Sequence, residues 1–255
     1  MLSYESHGHG PAVVFLHSFP LDRAMWVGQL VAVGAAGCRA ILLDLPGFGA
    51  SPVLGAEPSI DAYAHAVLAT LDALSLDRAV FVGLSLGGYV ALALASIAPE
   101  RVAGLVLADT RSLADEPATR AGRIVNLALV RDRGVEALFA KMLPGLVSGA
   151  CPDDVKAKLR AMAAAQTREG VTFALLAMRD RPDRTPTLAS IAAPTLVLVG
   201  ERDGISPPDE MRAMAAAIRG SRFEMVIGAG HMSNVEQPER FNASLTRFLS
   251  TFSAS

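Results

Sequence analysis

The chain has few of the residues on which several specialised protein classes depend. Its 255 residues include only two cysteines, Cys38 and Cys151. Two are too few for a disulfide framework or a cysteine metal cluster, so both are expected to be reduced thiols. Charged residues make up 19% of the chain and the formal net charge is −2. This balance gives no reason to expect nucleic acid or a membrane surface as a partner.

Long uncharged runs are also scarce. Residues 1–11 show no basic stretch followed by an apolar one, so no signal peptide is expected and a cytoplasmic location is predicted. Residues 79–99 carry no charge and are numerous enough to span a membrane. However, Gly83, Ser85, Gly87 and Gly88 interrupt this run, which favours a strand, a tight turn and a buried helix instead.

What the chain does contain is an alternation of short apolar runs with longer Ala- and Leu-rich stretches. This alternation is typical of an α/β fold with a mostly parallel sheet and helices on both faces. The predicted strands are Ala12–His17, Arg39–Asp44, Ala79–Val82, Val102–Ala108, Thr195–Val199 and Arg222–Ile227. The predicted helices of this alternation are Ile60–Leu74, Leu86–Ile97, Pro208–Ile218 and Pro238–Phe252.

The alternation stops between Thr110 and about Ser190. This segment is far longer than an ordinary crossover and contains no convincing strand, which predicts a helical lid over residues 111–190 inserted into a core of residues 1–110 and 191–255. Residues 111–187 hold 13 basic and 9 acidic side chains, a mild hint of anionic substrates that solvated helix faces explain equally well. The predicted lid helices are Arg120–Arg131, Val135–Leu143, Asp153–Gln166 and Val171–Met178.

The strongest chemical signal is the segment Gly83–Gly87, which reads Gly-Leu-Ser-Leu-Gly between a predicted strand and a predicted helix. So sharp a turn exposes Ser85 at the helix N-terminus and leaves no room for side chains at positions 83 and 87. The helix dipole and free backbone N–H groups there favour a developing anion. Ser85 is therefore the candidate nucleophile.

A serine nucleophile needs a base and a carboxylate that orients it. His231 follows the last predicted strand in a glycine-rich loop, whereas the other histidines, apart from His17, read as surface residues. Asp203 directly follows the predicted strand Thr195–Val199. The three residues then occur in the chain order Ser, Asp, His, which is the order expected for a triad of this kind. Asp109 is the rival acid, and if it does not serve His231 we expect it to cap the first turn of the lid.

The loop after the first buried strand reads His17-Ser18-Phe19-Pro20. In an α/β fold with a serine nucleophile between a strand and a helix, such a loop supplies one oxyanion donor and the residue after the nucleophile supplies the other. We therefore predict that the backbone N–H groups of Phe19 and Leu86 form the oxyanion hole. His17 is expected to be a structural hydrogen-bonder beneath that loop. The segment Asp44–Gly49 is explained better by turn geometry than by catalysis.

The order of these segments resembles the α/β-hydrolase superfamily, and within it the small esterase and 3-oxoadipate enol-lactonase-like group. The resemblance rests on residues 17–20, 44–49, 83–88, 200–203 and 228–231. It implies a triad of Ser85, His231 and Asp203, a helical cap, and hydrolysis without a cofactor. The chain departs from the pattern at Ser18, where the family usually has glycine, and this affects the expected shape of the oxyanion loop.

The predicted activity is hydrolysis of a small carboxylic ester or lactone, with no metal, no cofactor, no nucleic acid and no membrane partner. One alternative is a carbon–carbon bond hydrolase or perhydrolase with the same triad. The other is a hydrolase-like small-molecule receptor or signalling protein. An inward-facing arginine such as Arg111 or Arg131 would favour a lactone bearing a carboxylate. The sequence does not specify the oligomeric state. Apolar lid residues that would pack on the core, with a minority lining an acyl pocket, are Leu127, Leu129, Leu138, Phe139, Met142, Leu143, Phe173, Leu176 and Met178.

Overall fold

The fold is built on a single seven-stranded sheet. The computed structural model describes residues 1–253. In chain order the strands are β1 (Tyr4–His7), β2 (Ala12–Leu16), β3 (Arg39–Leu43), β4 (Ala79–Leu84), β5 (Val102–Ala108), β6 (Thr195–Gly200) and β7 (Arg222–Val226). They lie in the order β1–β3–β2–β4–β5–β6–β7, and every neighbouring pair is parallel except β1 with β3. The carboxyl ends of β2 to β7 therefore meet at one edge of the sheet.

Helices connect the parallel strands and close the described part of the chain. In chain order they are α1 (Leu30–Ala35), α2 (Ile60–Ala73), α3 (Leu86–Ile97), α4 (Pro117–Leu146), α5 (Asp153–Ala164), α6 (Arg168–Arg179), α7 (Pro208–Ala217), α8 (Ser233–Glu236) and α9 (Pro238–Ser253). Short 3₁₀ segments occupy Arg23–Gln29, Pro99–Arg101 and Thr185–Ser190. Within the described residues, no helix combines the length and apolar character that crossing a bilayer demands.

Alternate strand residues feed two hydrophobic cores, one on each face of the sheet. On β2, Val14 and Leu16 pack into the core that contains residues of α2, α3 and α7. Val13 and Phe15 point the other way, into the core that contains residues of α1 and α9. All four side chains are fully buried, as expected for a strand covered on both faces. The predicted α/β architecture is confirmed.

The helical insertion, residues 111–190, separates β5 from β6 and contains α4, α5 and α6 without a strand. Gly134 interrupts α4 with φ 86° and ψ 176°, which are not helical angles, so α4 consists of two helices that meet at this residue, as the sequence predicted. The insertion meets the core at a glycine pair, because a Cβ atom on Gly170 of α6 would lie 1.8 Å from the carbonyl oxygen of Gly47. Gln166 ties the same region to the core by accepting from the N–H of Gly49 at 2.9 Å.

The sequence did not indicate three elements. Strand β1 is short and mostly exposed, and it pairs antiparallel with β3 at the sheet edge. Helix α1 follows the 3₁₀ segment Arg23–Gln29, and α8 has only four residues. Elements this short carry too few residues to display a hydrophobic period.

Candidate active site

Ser85 lies at the sharp turn between β4 and α3. Its backbone has φ 54° and ψ −111°, a conformation that L-residues seldom adopt. The flanking glycines make the turn sterically feasible, because a Cβ on Gly83 would lie 2.3 Å from the Gly87 oxygen and one on Gly87 would lie 1.9 Å from the Leu16 oxygen. The turn is further held by the Ser85 N–H, which donates to Ala108 at 3.0 Å. Ser85 therefore stands at the N-terminus of α3, half-buried.

His231 and Asp203 form a buried hydrogen-bonded pair at the same edge of the sheet. Asp203 follows β6 and His231 follows β7, and the Nδ1 atom of the imidazole lies 2.8 Å from an Asp203 carboxylate oxygen. The other carboxylate oxygen accepts backbone N–H groups from Ile205 at 2.7 Å and Ser206 at 3.0 Å. Burial opposes ionisation of Asp203, but the His231 charge and these hydrogen bonds together keep its pKa below the usual value.

The Ser85 hydroxyl makes no side-chain hydrogen bond within residues 1–253, so the structure does not join it to His231. Both groups nevertheless follow parallel strands of one sheet, and their side chains lie at its carboxyl edge. Hydrogen bonds of catalytic groups are often long in enzymes without substrate and tighten when substrate binds. The arrangement thus contains an imidazole held by a carboxylate and a serine with an unengaged hydroxyl.

Asp109 does not serve as the partner of His231. It ends β5 with φ 45°, is fully buried, and accepts the N–H of Gly200 at 2.7 Å and the hydroxyl of Ser233. Burial, followed by the negative charge of Asp203, raises its pKa well above the usual value. The expectation that Asp109 would cap the first turn of the lid is wrong. The backbone N–H that donates to its carboxyl belongs to Gly200 in β6.

The two backbone N–H groups predicted as oxyanion donors have no acceptor among the described residues. They belong to Leu86, the first residue of α3, and to Phe19, in the loop after β2. The predicted role of His17 beneath this loop is confirmed, since its Nε2 accepts the Leu45 N–H at 2.9 Å and its Nδ1 lies 3.0 Å from the Ser18 oxygen. Burial lowers the pKa of His17, which favours the neutral ring that this pattern requires. The Ser18 side chain is buried, with its hydroxyl 3.4 Å from the Phe19 oxygen.

Asp44 organises the turn after β3, as the sequence indicated. Its carboxylate accepts the N–H groups of Arg23 at 3.0 Å and Ala50 at 2.9 Å, and it also pairs with the Arg23 guanidinium. A Cβ on Gly49 would lie 2.3 Å from this carboxylate. The turn closes tightly around Asp44, which explains the glycine there.

Glu236 supports the His231 loop, although no motif pointed to it. One of its carboxylate oxygens accepts the Gly230 N–H at 2.9 Å, and the other accepts the Ser148 N–H at 2.8 Å. Glu236 thereby links the loop that carries His231 to the end of α4. The only available signal was a carboxylate shortly after the glycine-rich loop, and a residue of that type at that distance is common.

The arginines considered for substrate binding are engaged elsewhere. The Arg131 side chain is 77% exposed and pairs with Asp132, so the prediction of an inward-facing role is wrong for this residue. Arg111 pairs with Glu210 at 2.9 Å. Leu127 and Leu176 do line an apolar groove of about 660 Å³ between α4 and α6, but none of Ser85, Asp203 and His231 lines it.

Residues 11–238 match the family model described as the alpha/beta hydrolase fold. The chain belongs to the α/β-hydrolase family. It is 31% identical over 245 residues to 3-oxoadipate enol-lactonase 1 of Acinetobacter baylyi, covering 94% of this chain and 90% of that protein. It is 30% identical to the 2-hydroxy-6-oxononadienedioate/2-hydroxy-6-oxononatrienedioate hydrolase of Paraburkholderia xenovorans, covering 97% and 90%.

Solved structures of this family show the same fold. A thermophilic esterase from Thermogutta terrifontis, studied with malate bound, superposes with a TM-score of 0.95 at 39% identity. The match covers 99% of this α/β-hydrolase chain and 94% of the esterase. The predicted resemblance to esterases and enol-lactonases is confirmed. No cluster of three or more His, Cys, Asp or Glu side chains that could hold a metal ion occurs among residues 1–253.

Proposed function

We propose that the protein hydrolyses small carboxylic esters or lactones through an acyl-enzyme on Ser85. The observation that carries the proposal is the buried His231–Asp203 hydrogen bond of 2.8 Å at the sheet edge where Ser85 occupies its strained turn. A buried carboxylate fixes the imidazole tautomer, so that Nε2 is free to accept a proton. The enol-lactonase and esterase relatives support this class of substrate.

In the first half of the reaction, Ser85 Oγ attacks the carbonyl carbon while its proton passes to His231 Nε2. The Phe19 and Leu86 N–H groups, which lack protein acceptors, donate to the oxyanion of the tetrahedral intermediate. The carbon–oxygen bond of the substrate then breaks, and His231 protonates the departing alkoxide. Asp203 stabilises the imidazolium while the proton resides there.

In the second half, His231 takes a proton from water, and the resulting hydroxide adds to the acyl carbon. The bond to Ser85 Oγ breaks, the serine recovers its proton from His231, and the carboxylic acid leaves. The helical insertion over residues 111–190 acts as a lid that shapes the acyl side of the site. No step requires a redox partner.

The test is Ser85→Ala assayed on p-nitrophenyl acetate, with Ser190→Ala as the matched control because that serine is exposed and its hydroxyl donates only to the Thr187 oxygen. The alanine at 85 should lower kcat on the order of 10⁴-fold or more, as loss of a triad nucleophile does. Mass spectrometry should detect a fluorophosphonate adduct on Ser85 in the unsubstituted enzyme. Retained turnover in Ser85→Ala would refute the acyl-enzyme.

A carbon–carbon hydrolase is the second candidate, favoured by the Paraburkholderia relative at 30% identity. It would use the same Ser85, His231 and Asp203 on a carbon–carbon bond next to a carbonyl group. A panel of esters, lactones and 2-hydroxy-6-oxo-dienoates separates the two candidates by kcat/KM. Faster turnover of the dienoates than of every ester and lactone would replace the first proposal with the second.

A further inference from the structure

The chain crosses between the core and the helical insertion at two adjacent stems. The outgoing stem is Arg111–Leu113 and the returning stem is Arg181–Thr185. They are joined by the Arg184 N–H donating to the Ser112 oxygen at 2.8 Å and by the Ser112 and Thr185 hydroxyls at 2.9 Å. These contacts hold the two stems together where the chain enters and leaves the insertion.

A small cavity of about 10 Å³ lies between the stems and the core. Three arginines line it, namely Arg111, Arg181 and Arg184, together with Ser112 and the ring of Tyr89. No acidic side chain of the described chain is among its lining residues. A cavity of this size has room for about one particle the size of a water molecule.

Arg181 presents an unused donor in this region. The residue is only 5% exposed, and its guanidinium lies 4.2 Å from the centre of the Tyr89 ring. Its two Nη atoms are occupied by Asp115 and by the carbonyl groups of Met178 and Leu113. Its Nε–H is buried without a partner among the described residues. Buried donors are nearly always satisfied, so this one indicates a missing acceptor.

Arg111 shows the same feature on the opposite stem. One Nη atom donates to Glu210 at 2.9 Å, whereas its Nε is buried and has no acceptor within residues 1–253. These two unsatisfied N–H groups belong to arginines that line one cavity, so a single acceptor there would serve both. A water molecule can accept both bonds, but its own two protons would then need acceptors, and apart from the Ser112 hydroxyl and the Tyr89 ring the side chains that line the cavity are cationic or apolar.

The local charge balance also favours an anion. Arg111 pairs with Glu210 and Arg184 with Asp61, whereas Arg123 and Arg181 both contact Asp115. The Asp115 side chain is 1% exposed and that of Arg181 is 4% exposed, so one buried carboxylate balances only one of the two guanidinium charges that it contacts. Electrostatic attraction to an anion is stronger in such an environment than at the surface.

We propose that this cavity is a binding site for a single halide ion, chloride by its size, held by the Nε–H groups of Arg181 and Arg111. The ion links the outgoing and returning stems and so stabilises the attachment of the helical insertion to the core. Polyatomic anions such as sulfate or carboxylates exceed the space. The site does not involve Ser85, Asp203 or His231, so it stands or falls independently of the proposed hydrolysis.

The direct test is a crystal of the full-length protein grown with sodium bromide, with data collected at the bromine absorption edge. An anomalous peak between Arg111 and Arg181 is the expected result. Bromide peaks confined to the surface, or a water molecule in the cavity, would overturn the proposal.

The second test measures thermal unfolding in 0.2 M sodium chloride and in sodium gluconate of equal ionic strength. Chloride should raise Tm by about 2–4 °C, because a ligand of the native state alone stabilises it by mass action. Arg111→Gln should abolish this increment, and Arg131→Gln should preserve it because Arg131 is exposed and does not line the cavity. Ser85→Ala should keep the increment even though it abolishes turnover. If chloride raised the Tm of Arg111→Gln as much as that of the unsubstituted protein, the proposed site would be refuted.

Discussion

Two buried carboxylates lie near the candidate base, and the structure predicts that their amide substitutions differ by orders of magnitude. Asp203 contacts His231 Nδ1 at 2.8 Å, whereas the Asp109 carboxyl receives the Gly200 N–H and the Ser233 hydroxyl. Asp203→Asn places an amide beside Nδ1, and an N–H there favours the wrong imidazole tautomer. In a related triad this change lowers kcat about 10⁴-fold, which corresponds to about 5.4 kcal/mol of transition-state stabilisation.

Asp109→Asn should lower kcat no more than about tenfold, which corresponds to at most about 1.4 kcal/mol. Burial and the Asp203 charge raise the pKa of Asp109, which favours the protonated carboxyl that an amide matches in shape and charge. The amide oxygen can still accept from Gly200, and its NH₂ can donate to the Ser233 hydroxyl. The imidazole of His231 then retains its orientation because Asp203 keeps its carboxylate, and the second amide hydrogen can occupy the hydrogen bond that Asp109 shares with Asp203.

The assay is kcat/KM for p-nitrophenyl acetate at pH 7.5, accompanied by thermal melts to verify that each variant is folded. The expected ranking is unsubstituted enzyme, then Asp109→Asn, then Asp203→Asn far below. An Asp109→Asn enzyme as inactive as Asp203→Asn would mean that the acid has been assigned to the wrong strand. Near-normal activity of Asp203→Asn would mean that His231 does not depend on either carboxylate as proposed.

Three further outcomes are expected. Because the pKa of Asp109 is raised in the folded state, its protonated form stabilises the fold at low pH. This stabilisation is lost at up to about 1.4 kcal/mol per pH unit as the pH rises above the unfolded-state pKa of 3.8. In urea unfolding, the free energy of unfolding of Asp109→Asn relative to the unsubstituted protein should therefore be higher at pH 8 than at pH 5. Gly87→Ala should destabilise the fold by about 1–3 kcal/mol or prevent folding, because the new Cβ would lie 1.9 Å from a β2 carbonyl oxygen. In the control Gly28→Ala the new Cβ meets nothing within 4 Å, so the urea midpoint should change little. Asp115→Asn should cost about 3 kcal/mol because it leaves buried guanidinium groups without their counter-charge, while Asp132→Asn on an exposed pair should leave Tm unchanged.

Much of the fold could be predicted because buried parallel strands and long helices have strong local signals. Helix α3 begins and ends where the sequence indicated, and six strands lie within a few residues of their predicted bounds. Strand β1 escaped because an exposed edge strand has no apolar period. The break at Gly134 was anticipated as a gap between two helices, since glycine and the polar residues before it weaken the helical pattern.

The site could be predicted only as far as the chain order of its residues allowed. The position of Asp203 after β6 and of His231 after β7 pointed to a pair, and their hydrogen bond agrees with that expectation. The surroundings of Asp109 could not be foreseen, because Gly200 and Ser233 approach it from distant parts of the chain. Neither could the outward orientation of Arg131, since a helical arginine faces solvent or site according to the rotation of its helix.

The glycine pair at positions 47 and 170 has a consequence for protein engineering. Exchanging the helical insertion for that of another hydrolase is a natural way to alter substrate choice. Any donor segment with a side chain at position 170 would strike the main chain of the core, because the first added carbon would already lie 1.8 Å from an oxygen atom. Such a chimera could not approach the core as closely as the present insertion does. A graft that keeps both glycines should preserve this contact and change only the residues around it.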